Sequence, residues 1–437
     1  MTRITFILCV TILLAHGVSV GQTNTENFAQ FKFNFNNPGA RSAGIGGAFV
    51  SIADDATAAV ANPAGLTTLI RPEISVEVKG IEFTKTVSNF AHRGVDTSFQ
   101  LVSRDFKSSL VSPSFASFVF PIQKITLSAF RHELVNFENE FFTRGAYVPP
   151  RRDGVAFFPA ASKMDMSVVN YGVGFAFKFS EAFSLGISGG VSQMDLNSFL
   201  TRYSTEVFST GTVVNDARIE DQGRDFFVNV GLIIHAAENF SVGAIFKKSP
   251  SFELNQRYLV VSSPTDMVTQ NKITFNVPSS FGAGFSYRPS DVLTFAFDIM
   301  RIQYSSLTSD IKITVDENFV APRDYTSDDG FEFHAGGEYV LFVSNLAFVL
   351  RGGVYSEPDN RIKWNGFVPT EMINTNPSTL GQTIALQAQA ALFEPGETIV
   401  HGTFGIGVVI SENIQLDFAG NISSLAKEGI GSVVIRF

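Results

Sequence analysis

From Asn170 the chain reads NYGVGFAFKF, which puts Tyr171, Val173, Phe175, Phe177 and Phe179 on one face of an extended strand and Asn170, Gly172, Gly174, Ala176 and Lys178 on the other. A period of two held over that length is a strand, because helical apolar positions recur every three or four residues. FSLGISGGVS repeats the pattern, with Phe183, Leu185, Ile187 and Val191 opposite Ser184, Gly186, Ser188, Gly190 and Ser192. Only Ser180-Glu181-Ala182 intervenes, so the two runs predict a tight hairpin. In a soluble sandwich the outward face would be the polar one. Here the face opposite the Gly, Ser and charged set is large and apolar in strand after strand, and only 17% of the chain is charged, below the roughly 25% of soluble domains. After residue 21 no apolar run approaches the ~18 residues of a spanning helix. A membrane protein of this kind must close its sheet, since lipid offers no partner to an open edge.

The connections fit a closed barrel. Short turns fall at PIQK, SEA, AAEN, PSD, VSN and SEN, and between them lie longer polar or mixed loops near residues 84–110, 137–166, 196–223, 251–277, 305–329 and 357–397. Counting strands between them predicts an all-β, transmembrane antiparallel β-barrel of about fourteen strands, an even number that puts both sheet ends on one side. Residues 72–437 shared over seven hairpins leave about 52 residues each, enough for two strands of about twelve, a short turn and a long loop. The expected organisation is a signal peptide over 1–21, an N-terminal segment over 22–71 and the barrel over 72–437.

The N-terminus sets the compartment. Met1-Thr2-Arg3 supplies one positive charge, Ile4 to Ala15 is apolar, and Ser19-Val20-Gly21 places small residues at a cleavage site. The one cysteine, Cys9, lies in that segment, so the mature chain offers no disulfide, Cys metal site or Cys nucleophile. A net charge of −9 provides no basic surface for a phosphate backbone, which argues against nucleic acid. At the other end Val433, Ile435 and Phe437 alternate to a terminal aromatic, a pattern the outer-membrane assembly machinery would read.

A fourteen-strand lumen falls between small barrels packed with side chains and porins that hold a water channel, so it leaks unless filled. The one long segment that does not alternate is 22–71. Within it Asp54 or Asp55 can cap a short helix through ATAAV, and Asn62 with Pro63 can stop that helix and start another turn with Asn as N-cap and Pro at N1. The stretch GARSAGIGGAFVSIADDATAAVANPAG, Gly39 to Gly65, resembles the N-terminal hatch of the FadL family of outer-membrane transporters for long-chain fatty acids and aromatic hydrocarbons. The resemblance covers the Gly-rich entry, ADDA and NPA, and Asn62, Pro63 and Ala64 match the family's hatch motif. It implies a fourteen-strand barrel plugged by the hatch and capture of a hydrophobic substrate between extracellular loops. It also implies an apolar pocket near the N-terminus and exit through a gap in the wall at a kinked third strand.

Three local features bear on that mechanism. Phe28, Phe31, Phe33 and Phe35 near the N-terminus either anchor the hatch or line a site for an acyl or aryl ligand. The third strand, KITLSAFRHEL, carries Arg131 and Glu133 in the row of Ile125, Leu127 and Ala129, flanking His132. Charges in a lipid-facing row cost up to about 2–4 kcal/mol each at midplane, which predicts a bulge or break there and a candidate lateral exit. The loop expected from Asn197 to Gly223 holds Phe199, Leu200, Tyr203 and Phe208, which can line a capture groove or pack the loop. Glu332, His334, Glu338, Arg351 and Asp298 share the lumen phase and are expected to form a polar network holding the hatch, since buried charges need partners.

Enzyme readings fare poorly. GISGG matches G-x-S-x-G, but a nucleophile elbow needs a strand-to-helix turn and Ser188 lies within a strand. His92, His132, His235, His334 and His401 lack metal spacing, and DYTSDDG (residues 324–330) lacks the ligand order of a calcium loop. No cofactor is expected. The sequence therefore predicts passive uptake of hydrophobic small molecules, with outer-membrane lipid and lipopolysaccharide around it. A non-transporting scaffold or secretion-associated barrel is the alternative.

Overall fold

The computed structural model describes residues 35–92, 99–143, 146–147, 155–157, 159–203, 212–261, 266–308, 314–316, 319–320, 325–344, 346–366, 387 and 390–437. The expected signal peptide, Phe28, Phe31, Phe33 and Phe208 lie outside them. Fourteen antiparallel strands form one closed sheet. In chain order they are β1 (Glu73–His92), β2 (Phe99–Ile122), β3 (Ile125–Thr143), β4 (Ala160–Ser180), β5 (Phe183–Tyr203), β6 (Val213–Ala237) and β7 (Phe240–Lys248 and Ser251–Val260). The rest are β8 (Met267–Asn276 and Ser280–Ser290), β9 (Leu293–Ile302), β10 (Gly330–Val343), β11 (Leu346–Glu357), β12 (Ile399–Ser411), β13 (Ile414–Ile422) and β14 (Ala426–Arg436). Pairing of Glu73 with Arg436 through Phe83 with Ala426 closes β1 on β14. Among the described residues no helix is long and apolar enough to cross a membrane.

The six short turns fall where the sequence placed them, and Gln123 and Ser344 take left-handed φ values of 54° and 56° in two of them. The long connections do not all fall as expected. Much of 84–110, 137–166, 196–223 and 251–277 is strand, because β1 to β8 run on well past the membrane. β4 has 21 residues; at about 3.3 Å each and a tilt near 40° it rises roughly 50 Å, about twice the apolar band.

The chemistry of the two faces exchanges partway up while the phase stays constant. Low on β4, Tyr171, Val173 and Phe175 point outward to lipid and Asn170, Gly174 and Ala176 point inward. Higher up Met164, Met166 and Val168 face inward, fully buried, and Lys163, Asp165 and Ser167 face out. β5 does the same, with Ser184, Ser188 and Ser192 inside below and Met194, Leu196 and Leu200 inside above. Each such side chain removed from water contributes about 1.5–3 kcal/mol. The strands thus form a lipid-facing barrel below and a collar with an apolar interior above.

Two interruptions bend the wall. β7 breaks at Ser249-Pro250 and β8 at Val277-Pro278-Ser279, side by side, where Val277 N–H donates to the Pro250 carbonyl (3.0 Å) and Ser249 N–H to Ser279 Oγ (3.1 Å). Proline cannot donate to a ladder, so both strands stop there. Carboxylates replace the missing β6–β7 bonds, with Asp225 accepting from Ser251 N–H and Asp221 from Asn255 N–H, each at 2.7 Å.

The N-terminal segment lies inside this wall. Helix α1 (Ala40–Gly44) packs against β11 to β14, α2 (Ala58–Ala61) against β3, and the 3₁₀ helix Pro63–Thr68 against β4, β5 and β6. Inward glycines permit this approach: a Cβ on Gly186 would lie 2.2 Å from the Pro63 carbonyl carbon, and one on Gly336 2.2 Å from the Ile45 oxygen. Gly186→Val is therefore expected to leave a heat-modifiable barrel while loosening residues 35–72, read as new cleavage of that segment in limited proteolysis.

Candidate functional site

Asn62 sits at the junction of hatch and wall. Its backbone is extended (φ −160°, ψ 103°), Pro63 follows at N1, and its Oδ1 accepts the Ala64 N–H at 3.2 Å, so it caps the 3₁₀ helix as the sequence suggests. Its Nδ2 donates to the carbonyls of Val50 (2.8 Å) and Leu232 (3.1 Å), with Ala244 at 3.4 Å. One buried amide therefore ties both turns of the hatch to β6 and β7.

The two aspartates depart from expectation. Neither caps a helix: Thr57 precedes α2 and no side chain caps it. Asp54 pairs instead with Arg41, and Asp55 accepts from Thr57 N–H at 2.9 Å in a local turn. The reason is Arg41, 16% exposed, which needs carboxylates around it. Burial alone would lower its guanidinium, but Asp54, Glu338 and Asp55 outweigh that and hold it well above its ordinary value. Burial pushes the Asp55 carboxyl up, against the pull of Arg41 and the Thr57 hydrogen bonds.

Lumen-facing charges of the wall converge on this segment. Glu338 accepts from Arg41 Nε (2.9 Å) and from Arg351 Nε (2.8 Å), and Arg351 Nη1 also donates to Asp417 at 2.6 Å. Asp298 Oδ2 accepts from the N–H groups of Phe49 (2.6 Å) and Val50 (2.8 Å). His334 Nδ1 lies 2.7 Å from the Gly46 carbonyl and Nε2 3.3 Å from Glu332. The Ser188 hydroxyl donates to the Ala59 carbonyl at 2.7 Å, which fixes the hatch and leaves no place for a nucleophile. Asp328 and Asp329 of the acidic loop engage Lys363 (2.9 Å) and Ser305 (2.7 Å). Among the described residues no cluster could hold a metal.

The third strand shows the expected irregularity. Register with β4 shifts between Glu133 and Val135. Below the shift Thr126, Ser128, Phe130 and His132 face inward; above it Val135, Phe137, Asn139, Phe141 and Thr143 do. The bulge thereby takes Glu133 out of the lipid-facing row and buries it, at 5% side-chain exposure, while Arg131 stays at the outer face. On the other side the β2–β3 ladder runs only from Ile122 with Ile125 to Phe115 with His132, and among the described residues no pair lies beyond. The next residues toward the open end of β2 are Ser114 and Pro113, and side chains take over: Arg131 donates to the Pro113 carbonyl, and Ser112 Oγ to Glu133 at 2.5 Å. Pro113 was legible as the proline in VSPSF but lies on the neighbouring strand, not on the one whose charges drew attention.

A cavity of about 90 Å³, partly open to solvent, lies along this seam. Its walls are Ile81, Phe83, Leu110, Leu134, Val135 and Phe137, with Phe35 at the inner end and Glu332, Tyr355, Glu357, His401 and Glu428 below. Phe35 is the expected ligand-binding phenylalanine that lines this cavity, and it meets Tyr304 edge-on at 5.9 Å. The Asn197–Gly223 region is mostly strand, not loop. Leu200 is buried in the collar, Phe199 is half-buried on the outer face, Tyr203 ends β5 half-buried, and none lines the cavity. Glu133 does line it, His132 lies in the space just beneath, and Arg131 lines neither.

The buried network should be energetically unforgiving. Arg351→Met leaves Asp417 without its cation, and urea unfolding of the vesicle-reconstituted barrel is expected to show a loss of about 3–5 kcal/mol. Removing the exposed partner of the Arg71–Glu412 pair (3.3 Å), as Arg71→Ala, should cost under about 1 kcal/mol.

Solved structures share this architecture. The CymD monoaromatic hydrocarbon channel is 15% identical with a TM-score of 0.59, covering 93% of this chain and 99% of that one. The Ralstonia pickettii toluene transporter TbuX is 15% identical at 0.58 (92% and 99%), and a Pseudomonas aeruginosa FadL homologue 13% identical at 0.60 (94% and 99%). No curated protein matches the sequence. Residues 29–365 match the family model for outer membrane protein transport proteins (OMPP1/FadL/TodX). The hatch-filled barrel with its interrupted third strand thus belongs to that family of bacterial outer-membrane transporters for hydrophobic compounds, and it is not an enzyme.

Proposed function

We propose that this protein carries hydrophobic small molecules, long-chain acyl compounds or aromatic hydrocarbons, passively across the outer membrane and releases them sideways through the β2–β3 seam. The observation that carries the reading is the cavity itself. It joins the apolar collar to the stretch of wall where the backbone ladder is absent, next to a bulge in β3. An apolar molecule captured in the collar can pass along Phe35, Leu110 and Leu134, in a cavity that Lys79, Asn136 and Glu138 also line. Lipopolysaccharide slows such compounds at the outer leaflet, and an apolar path bypasses it. The likeness to a toluene transporter and a monoaromatic hydrocarbon channel supports the substrate class.

In this reading Asp54, Asp55, Asn62, Pro63 and Ala64 keep the hatch seated, so the lumen carries no ions while the seam passes substrate. Arg131, His132 and Glu133 shape the exit, and the apolar collar to which Leu200 contributes forms the capture surface. The C-terminal Phe437, 61% exposed, presents the aromatic that assembly machinery binds.

Uptake of labelled alkylbenzene or fatty acid into cells expressing the protein tests this. Leu110→Trp, which fills the seam, is expected to cut the uptake rate at least about tenfold at unchanged expression, equivalent to ~1.4 kcal/mol on the limiting step. Equal rates would sink the lateral exit. Absence of saturable binding of any hydrophobic probe by the intact protein would leave only the scaffold role.

A further inference from the structure

Away from the seam, the lipid-facing side of β6 to β10 is unevenly filled. One outward row runs Val230, Phe246, Phe281, Arg301 and Phe331 from β6 to β10, and a lower one runs Ile234, Val242, Phe285 and Phe297 from β6 to β9. Between them the row is Leu232, Ala244, Ala283 and Ile299, so two alanines stand side by side where the neighbouring rows carry large side chains. The deficit leaves a groove of about 500 Å³ in the outer wall, with Ala244 and Ala283 as its floor and Leu232, Phe246, Phe281 and Ile299 as its sides. Its upper end is charged. Arg301 lies eight residues above Leu293, where β9 leaves its short turn. At about 3.3 Å each and a tilt near 40° that is roughly 20 Å, close to the top of an apolar band about 25 Å tall. The Arg301 guanidinium rests against the rings of Phe281 and Phe331, each centroid 5.9 Å away, and Nη2 reaches Asp329 at 3.2 Å. That carboxylate is shared with Ser305, whose N–H and hydroxyl it accepts at 3.1 and 2.7 Å. On β7, Lys247 points inward to Asn37, so Lys248 points outward above Phe246; it is exposed, and among the described residues it has no ion pair. Two cations and one shared carboxylate thus stand at the rim of an apolar groove, at the height of lipid head groups.

We propose that this groove binds one lipid of the outer leaflet, a phosphorylated glycolipid of the lipopolysaccharide class, with an acyl chain laid over Ala244 and Ala283 and a phosphate held by Arg301 and Lys248. Short turns of such barrels face the periplasm and long loops the outside, so the rim lies in the outer leaflet, where lipopolysaccharide supplies the phosphates. A guanidinium presents paired donors that match phosphate oxygens, and Lys248 adds a point charge beside it. Asp329 engages only Nη2 of Arg301, which leaves donors for a second anion. A chain seated in the groove restores the packing contacts that the two alanines forgo. A second copy of the barrel pressed against this face would cover the cations with another apolar wall and bring no anion to them. The site lies on the outside of the wall, so it stands whatever passes through the lumen.

The full chain, purified in a non-ionic detergent, would be titrated with bis-phosphorylated lipid A and with the same lipid stripped of its phosphates, and bound lipid counted by native mass spectrometry. The phosphorylated lipid is expected to be retained at one per chain and to bind roughly tenfold or more tightly than the stripped one. Lys248→Gln combined with Arg301→Gln should bring it to the level of the stripped lipid. Ala244→Leu combined with Ala283→Leu, which fills the groove, should lose the one-per-chain adduct of either lipid at unchanged heat-modifiable mobility. Equal binding of phosphorylated and stripped lipid A by the unaltered protein overturns the proposal without reference to any variant. So does a phosphate preference that survives loss of both cations, or an adduct that survives filling of the groove. A chain that self-associates and retains no lipid assigns the groove to a second copy and overturns it as well.

Discussion

In the hydrocarbon core a backbone N–H or C=O finds no water, so each must find a partner within the chain. That requirement closes β1 on β14 and makes the rare departures from the ladder informative. At the β2–β3 seam the Arg131 guanidinium meets the Pro113 carbonyl and Ser112 meets Glu133. At the break in β7, Asp221 and Asp225 accept the free amides of the next strand. In both places side chains take up part of what the backbone leaves, so the wall can be interrupted.

Closure at fourteen strands creates the second constraint, a lumen too wide for wall side chains to fill. The hatch resolves it by bringing its own backbone against the wall, which is why Gly186 and Gly336 face inward where it touches. Charged pairs then hold it. Arg41, Glu338, Arg351 and Asp417 form one continuous network from α1 across β10 and β11 to β13. Each member has a partner, so burial does not leave a bare charge. Above the hatch the inner face changes from polar to apolar, and the hatch-filled lower barrel gives way to a chamber suited to hydrophobic molecules.

Much of this was legible in one sequence. Alternation, the six short turns, the even strand number and the hatch segment followed from period and turn chemistry. The Arg131–Glu133 irregularity followed from the cost of charge in a lipid-facing row. The network residues Glu332, His334, Glu338, Arg351 and Asp298 followed from phase alone. Elsewhere local reasoning failed for identifiable causes. The extensions of β1 to β8 read as loops because their outward residues turn polar above the membrane, so alternation persists with its sign reversed. Asp54 and Asp55 read as caps because Arg41, their partner, stands more than a turn away in sequence and meets them only in the folded hatch.

The sequence by itself determined that this chain is a membrane barrel with a filled lumen, because a period of two, a lipid-facing apolar row and a non-alternating N-terminal segment are local properties. Tertiary structure alone decided where the wall opens and what stands inside it. The seam depends on Pro113 of β2 lying beside the bulge of β3, and the cavity on Phe35 meeting residues of β1, β2, β3 and β14. That the Lys85 ammonium has no hydrogen-bond partner among the described residues is likewise visible only in the folded barrel. Those are relations between distant residues, set by register and closure, and no stretch of sequence read by itself contains them.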